Sequence, residues 1–279
     1  MKGKIVFILL LWITGWPLMG QSINWQNNID FIDIGNKVYY LEDPDGRLSF
    51  EQVSSPDFQS RFSKSDKVIL NFGFTESVYW LRFNFNNTSR EDLIFEIAHA
   101  FLPVADLYYI DDAEKLVQLK GGYNVPLNEK QIRHHFQIFP LPAGQHEYYV
   151  RLISNSHPLK LRIYRESIYD VKTYRQRLVY GFYLGFMAFV ILSNLFFYIT
   201  LRSKLYVFYA GIVLVYISYA SAVMDGFILY FLPRTDLMFW YVTIPTIGVP
   251  LQLLYAQVFL EVKKYNVRLY NVTKWLIIY

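Results

Sequence analysis

Between Arg177 and Arg202 the chain reads LVYGFYLGFMAFVILSNLFFYITL, and these residues, 178–201, carry no charged side chain. About 20 apolar residues let a helix cross the roughly 30 Å hydrocarbon of a bilayer, where every backbone hydrogen bond must be made internally. Two further uncharged runs follow: 205–224, after Arg202-Ser203-Lys204, and 237–260, between Asp236 and Glu261. Burying three consecutive apolar helices in a soluble protein would need amphipathic helices to cover them, and the chain offers none. The expectation is an α-helical transmembrane bundle with helices at 178–201, 205–224 and 237–260. WLIIY, 275–279, opens another apolar run after a basic connection, so it reads as the start of a truncated fourth helix and the bundle as incomplete in this chain.

The residues before this half have a different texture. Lys2 and Lys4 precede IVFILLLWITGWPLMG and then a polar stretch, the pattern of a secretory signal peptide over 1–20. Residues 22–172 then form short apolar or alternating runs such as VYWLRFNFNN, DLIFEIAHA and HEYYVRLIS. Turn formers separate them: Asp-Pro-Asp-Gly at 43–46, Asn86-Asn87, Asp111-Asp112, Gly121-Gly122 and Pro142-Ala143-Gly144. No long helical pattern intervenes between these strands, which argues for an all-β sandwich rather than βαβ units. The chain has no cysteine, so disulfides, thiolate catalysis and Cys-ligated zinc are excluded. A net charge of +4, with scattered basic residues, gives no nucleic-acid stripe.

Export of the β domain fixes the orientation. Arg202 and Lys204 fall in the first inner connection, and Lys263, Lys264, Arg268 and Lys274 in the second, against Asp225, Arg234 and Asp236 outside. That distribution follows the positive-inside tendency. Lys172, Arg175 and Arg177, in the charged linker VKTYRQR, run against it, because they lie outside. The expected topology is multi-pass, with the N-terminal domain on the exported side of the membrane.

Several segments carry a resemblance: YYLEDPDGRLSFEQV at 39–53, WLRF within NFGFTESVYWLRFNFNN, FLPVADLYYID, GGYNVP, FQIFPLPAGQHEYYVRLIS, and the membrane stretch from YGFYLGF to VMDG. In this order they resemble the bacterial seven-transmembrane receptors with diverse intracellular signalling modules, in the class with a type 2 DISM extracellular domain. The resemblance implies a jelly-roll-like sensor similar to carbohydrate-binding modules, a helical bundle that transmits its state, and a location in the bacterial inner membrane, multi-pass, with the N-terminal domain in the periplasm. In full-length members it implies a cytoplasmic output such as a cyclase, histidine kinase or phosphatase. The expected function is a transmembrane signalling receptor for a carbohydrate or related small solute. The alternative on the same architecture is a sensor of a peptide, an envelope component or a partner protein. Besides the ligand and the lipid bilayer, the expected partners are a second copy of the chain or a downstream signalling protein.

Period-two alternation in VYWLRFNFN places Tyr79, Leu81, Phe83 and Phe85 on one face, the better core, and Val78, Trp80, Arg82 and Asn84 on the other. Trp80 and Arg82 are candidate ligand residues, since a ring packs on a sugar's apolar face while a guanidinium serves its oxygens. The competing reading puts Trp80 in a second hydrophobic layer and pairs Arg82 with an acid. Asn155 and His157, in the polar turn SNSHP, are accessible loop candidates. His134 and His135 should face opposite sides of a strand, and the other histidines lack ligand spacing, so no metal, cofactor or catalytic residue is expected. Glu42, Asp43 and Asp45 read as solvent-facing carboxylates of a turn. Gln252, Gln257 and Asn194 should avoid lipid, and Gly181 and Gly185 should permit close packing.

Overall fold

The computed structural model describes residues 22–26, 28–89, 91–154, 158–220, 226–230, 232 and 237–278. The signal segment 1–20, Asn155, His157, and the outer-loop residues Asp225, Arg234 and Asp236 lie outside them. The N-terminal half contains β1 (Ile23–Asn24), β2 (Phe31–Asp33), β3 (Tyr39–Asp43), α1 (Phe50–Val53), α2 (Pro56–Gln59), β4 (Ser63–Lys64), β5 (Ile69–Leu70) and β6 (Val78–Asn87). It continues with β7 (Leu93–Ile97), β8 (Ala105–Ile110), β9 (Leu116–Leu119), β10 (Gln137–Leu141), β11 (Gly144–Ile153) and β12 (Leu159–Arg165).

One sheet has the order β4-β3-β6-β11-β8-β9, with β1 parallel to β6; the other has the order β10-β7-β12-β2, with β5 against β12. Both are otherwise antiparallel. They enclose one core. Leu81, Phe83, Tyr148 and Val150 from the first sheet meet Phe95, Ile97, Phe139, Leu161 and Ile163 from the second. Phe83 and Phe95 touch across it with ring centroids 5.2 Å apart. Full burial stabilises each such side chain by about 1.5–3 kcal/mol. The alternation expected of β6 holds: Tyr79, Leu81, Phe83 and Phe85 fill this core, while Val78 and Trp80 fill a second cluster on the opposite face. The tyrosine pairs divide likewise, Tyr148 and Tyr109 inward, Tyr149 and Tyr108 outward.

Within a half read as all-β, residues 49–59 form two short helical turns. Ser49 caps α1 by accepting from Gln52 N–H, while the Gln52 side chain accepts from Ser49 N–H, and Pro56 occupies the first turn of α2. That reciprocal cap is legible as Ser-x-x-Gln. Asp43 is buried, not solvent-facing, because its carboxylate accepts from Arg47 and Leu48 N–H at 3.2 and 3.0 Å and closes the turn.

The C-terminal half is helical: α3 (Glu166–Leu201), α4 (Lys204–Tyr219), α5 (Leu237–Phe259), α6 (Val262–Tyr265) and α7 (Val267–Ile278). The charged linker expected at 171–177 is helix instead. No glycine or proline interrupts 166–180, so α3 follows β12 directly and runs 36 residues, roughly 54 Å at 1.5 Å per residue. It is long enough to cross a bilayer and still reach the sheets. Among the described residues, α3 and the 239–259 part of α5 pass the length and hydropathy test for a membrane span; α4, at 16 residues, is shorter than expected from the 205–224 run. The 261–274 connection is also helical, with Asn266 Oδ1 capping Leu269 N–H at 2.9 Å.

Gln252 donates to Tyr216 Oη at 2.8 Å and Gln257 to Thr273 Oγ1 at 2.6 Å, tying α5 to α4 and α7 as polar groups in a bundle should. Asn194 donates back to the Val190 carbonyl of its own helix. Gly181 and Gly185 have open space where a Cβ would stand among the described residues; the close helix approaches fall instead at Gly211 against Leu251 and Gly248 against Val215.

Candidate functional site

The outer face of the larger sheet is aromatic and covered. Trp80 from β6 packs on Tyr108 from β8 with centroids 5.6 Å apart, and Phe50 of α1 stacks on Tyr108 at 5.5 Å and meets Tyr149 edge-on. Phe62, beyond α2, meets Tyr149 edge-on as well. The face expected to be open is therefore closed: Trp80 is 1% exposed and Arg82 9%. The physical reason is local, since residues 49–62, which include the capped turn α1 and the turn α2, fold back over the face and pack Phe50, Val53 and Phe62 against it. Arg82 lies 3.8 Å from Glu147, with its guanidinium over the Tyr39 and Phe62 rings at 5.0 and 5.1 Å. Tyr149 Oη donates to Glu147 and accepts from Gln59, both at 2.9 Å, so the cap is pinned by a polar edge. Burial first, then the charge of Glu147, raises the Tyr149 pKa; burial, then Asp106, pushes Tyr108 up to about 12. Beneath this cap the Trp80 Nε1–H is buried and has no partner among the described residues.

The outer face of the smaller sheet meets the membrane half. Glu96 of β7 is fully buried and accepts from Lys172 Nζ of α3 through both oxygens, at 2.8 and 2.9 Å. Lys172 also donates to Tyr164 Oη and lies over the Tyr164 and Tyr169 rings. Ile94, Ile138, Tyr164 and Tyr169 pack around this pair. His134 and His135 do not face opposite ways. They precede β10 in an irregular segment, stack with centroids 4.1 Å apart, and are both buried. His134 Nδ1 accepts from Phe136 N–H at 3.0 Å, so that nitrogen is unprotonated and the ring neutral. Gln137 organises the neighbourhood: its Oε1 accepts from Lys130 Nζ at 2.9 Å and from Gly122 N–H at 2.6 Å, Gly122 holding the φ of +101° that its turn needs. A third contact comes from Leu229, between α4 and α5, and Leu237, the first residue of α5, which bury against Ala100, Phe101 and Leu127 of the β half.

A family model described as 7TMR-DISM extracellular 2 matches residues 35–165, and a model described as 7TM diverse intracellular signalling matches 176–279. The chain has the domain architecture of the 7TMR-DISM family. No curated protein matches the chain. Eight solved chains match, among them the crystal structure of CapF with inhibitor 3-isopropenyl-tropolone, at 8% identity and a TM-score of 0.18. That match covers 38% of this chain and 31% of the other, and so small a score carries no structural argument. This 7TMR-DISM chain is a signalling receptor of the inner membrane, multi-pass, with its N-terminal domain in the periplasm. Among the described residues no three His, Asp or Glu side chains group as a metal site.

Sequence reasoning singled out Trp80 and Arg82, which the receptor's fold brings together under the cap. The competing reading describes them: Trp80 fills a second hydrophobic layer and Arg82 faces an acid, Glu147, on the neighbouring strand; Phe50 and Gln59 as their cover, and Glu96 with Lys172 as the junction, were not foreseen. The Ser-x-x-Gln signal could have found the cap; nothing local marks Glu96, because its partner lies 76 residues away. The junction has an acid-sensitive signature. Burial, then the charge of His135 and of Arg177, Lys172 and Lys130, pushes His134 down to about 2, and burial with the same three cations pushes His135 down to about 3. Between those values and 6.5 the unfolded chain binds more protons than the folded one, so stability falls as pH drops through that window. The melting temperature of the receptor in nanodiscs should fall by several degrees from pH 7.5 to 5, and less in a His134→Phe, His135→Phe variant. Equal pH dependence of the two would remove the histidines as the cause.

Proposed function

We propose that this 7TMR-DISM receptor recognises a carbohydrate or related small solute on the capped aromatic face of a jelly-roll-like domain spanning 22–172, and passes its state to the helices through α3. The observation that carries the reading is the Trp80, Tyr108 and Phe50 aromatic set with an unpartnered Trp80 Nε1–H and the Arg82–Glu147 edge beside it. A ring face and convergent donors are what a polyhydroxyl ligand requires. Two antiparallel sheets between which the chain crosses repeatedly from β6 to β12, with β8 and β9 the one hairpin that stays in a single sheet, are compatible with the jelly roll. Because the face is closed in this conformation, binding must displace or tilt α1 and α2. The opposite sheet carries Glu96, held by α3, so a change on one face reaches the membrane helix through a single packed core.

The test is calorimetric titration of a saccharide panel into the receptor in nanodiscs. Saturable binding is expected, weakened tenfold or more by Arg82→Gln, which removes a charged donor, with the melting temperature within a few degrees of wild type. A folded receptor that binds no saccharide, or binds equally well after Arg82→Gln, overturns the reading. A peptide or partner-protein sensor is the second reading. The 68–74 segment favours it, for it exposes Val68, Ile69 and, at 97%, Phe74.

A further inference from the structure

We propose that the groove descending α3 from Ile168 to Tyr180 binds the headgroup of an anionic phospholipid in the outer leaflet of the inner membrane. The cavity, about 510 Å³, is lined by Ile168, Val171, Lys172, Arg175, Val179 and Tyr180, with Gln176 between. Their spacing of three and four residues makes one stripe of the helix. Over these 12 positions the helix rises roughly 18 Å. Its last charge before the uncharged run is Arg177, so the groove crosses from the headgroup layer to the hydrocarbon. Arg175 stands exposed at the headgroup level, a guanidinium fork suited to a phosphodiester, while Lys172, its three donors held by Glu96 and Tyr164, adds charge only. Below them Val179 and, further along α3, Phe182 are exposed, and Tyr180 sits at the boundary where aromatic rings collect.

Charge complementarity selects the lipid over other occupants. Residues 171–177 hold Lys172, Arg175 and Arg177 and no acid, on the side of the membrane where cations oppose the topological tendency. Lys130 adds positive charge to the junction, and Glu96, the acid buried there, is occupied by Lys172. A headgroup phosphate supplies the missing negative charge beside the residue that holds the sensor to α3. Lipid composition then acts on the junction independently of what the sensor binds.

The experiment places the whole chain in nanodiscs of mixed phosphatidylcholine and phosphatidylglycerol and measures the lipid retained after detergent extraction by mass spectrometry. Phosphatidylglycerol should be retained preferentially, about fivefold less by Arg175→Gln, and fully by Arg175→Lys. Because the chain has no cysteine, Val179→Cys gives a single attachment point for a photoreactive probe. Cross-linking to phosphatidylglycerol supports the site. Equal retention of both lipids, retention unchanged by Arg175→Gln, or cross-linking to the chain's own N-terminal segment instead of lipid each overturns it.

Discussion

Lys172→Ala is expected to destabilise the receptor by about 3 kcal/mol. The variant leaves the Glu96 carboxylate, fully buried on β7, without the ammonium that holds both its oxygens. Removing one partner of a buried pair costs about 3–5 kcal/mol, and the lower end applies because the Lys172 side chain is 26% exposed and water can reach the site. For a domain of this size the loss lowers the melting temperature by about 6–12 °C. Glu96→Gln in the same background should recover most of it, since a neutral amide needs no counter-charge. Tryptophan fluorescence of the two variants in nanodiscs reads both. A Lys172→Ala receptor that melts with wild type would show that the pair contributes nothing to holding the sheets on α3.

The second large effect is at Trp80. Trp80→Ala should cost about 3–5 kcal/mol, the range for emptying a large aromatic site in a packed core. It opens a cavity under α1 and α2, so Phe50 and Phe62 lose their support, and proteolysis within 49–62 should accelerate. Trp80→Phe separates packing from recognition. It keeps most of the ring area and removes a buried donor that has no partner among the described residues, so its stability should stay within about 1 kcal/mol of wild type. If the indole N–H serves a ligand, saccharide binding weakens in that variant while its stability stays close to wild type. A Trp80→Ala receptor of unchanged stability would mean that the cap does not pack as found.

Local pattern made much of this visible. Alternation in β6 sorted Tyr79, Leu81, Phe83 and Phe85 from Val78 and Trp80, because a strand's period of two needs no tertiary information. The uncharged runs marked α3 and α5, since hydrocarbon admits only long apolar helices. The linker expected at 171–177 failed for a reason in the same sequence: charge was taken as a boundary, yet Lys, Arg and Gln are good helix formers and nothing there breaks a helix.

What the sequence determined by itself is the order of parts: a β-rich exported half, an apolar helical half, and the face on which each β6 residue lies. Tertiary structure decided whether those faces are open. Trp80 is an outward residue of its strand and also a buried one, because residues 49–62 return over it. Glu96 is an acid in an apolar strand until Lys172 arrives from 76 positions away. Periodicity fixes direction relative to a strand, whereas burial and ion pairing depend on which distant segment lies against it.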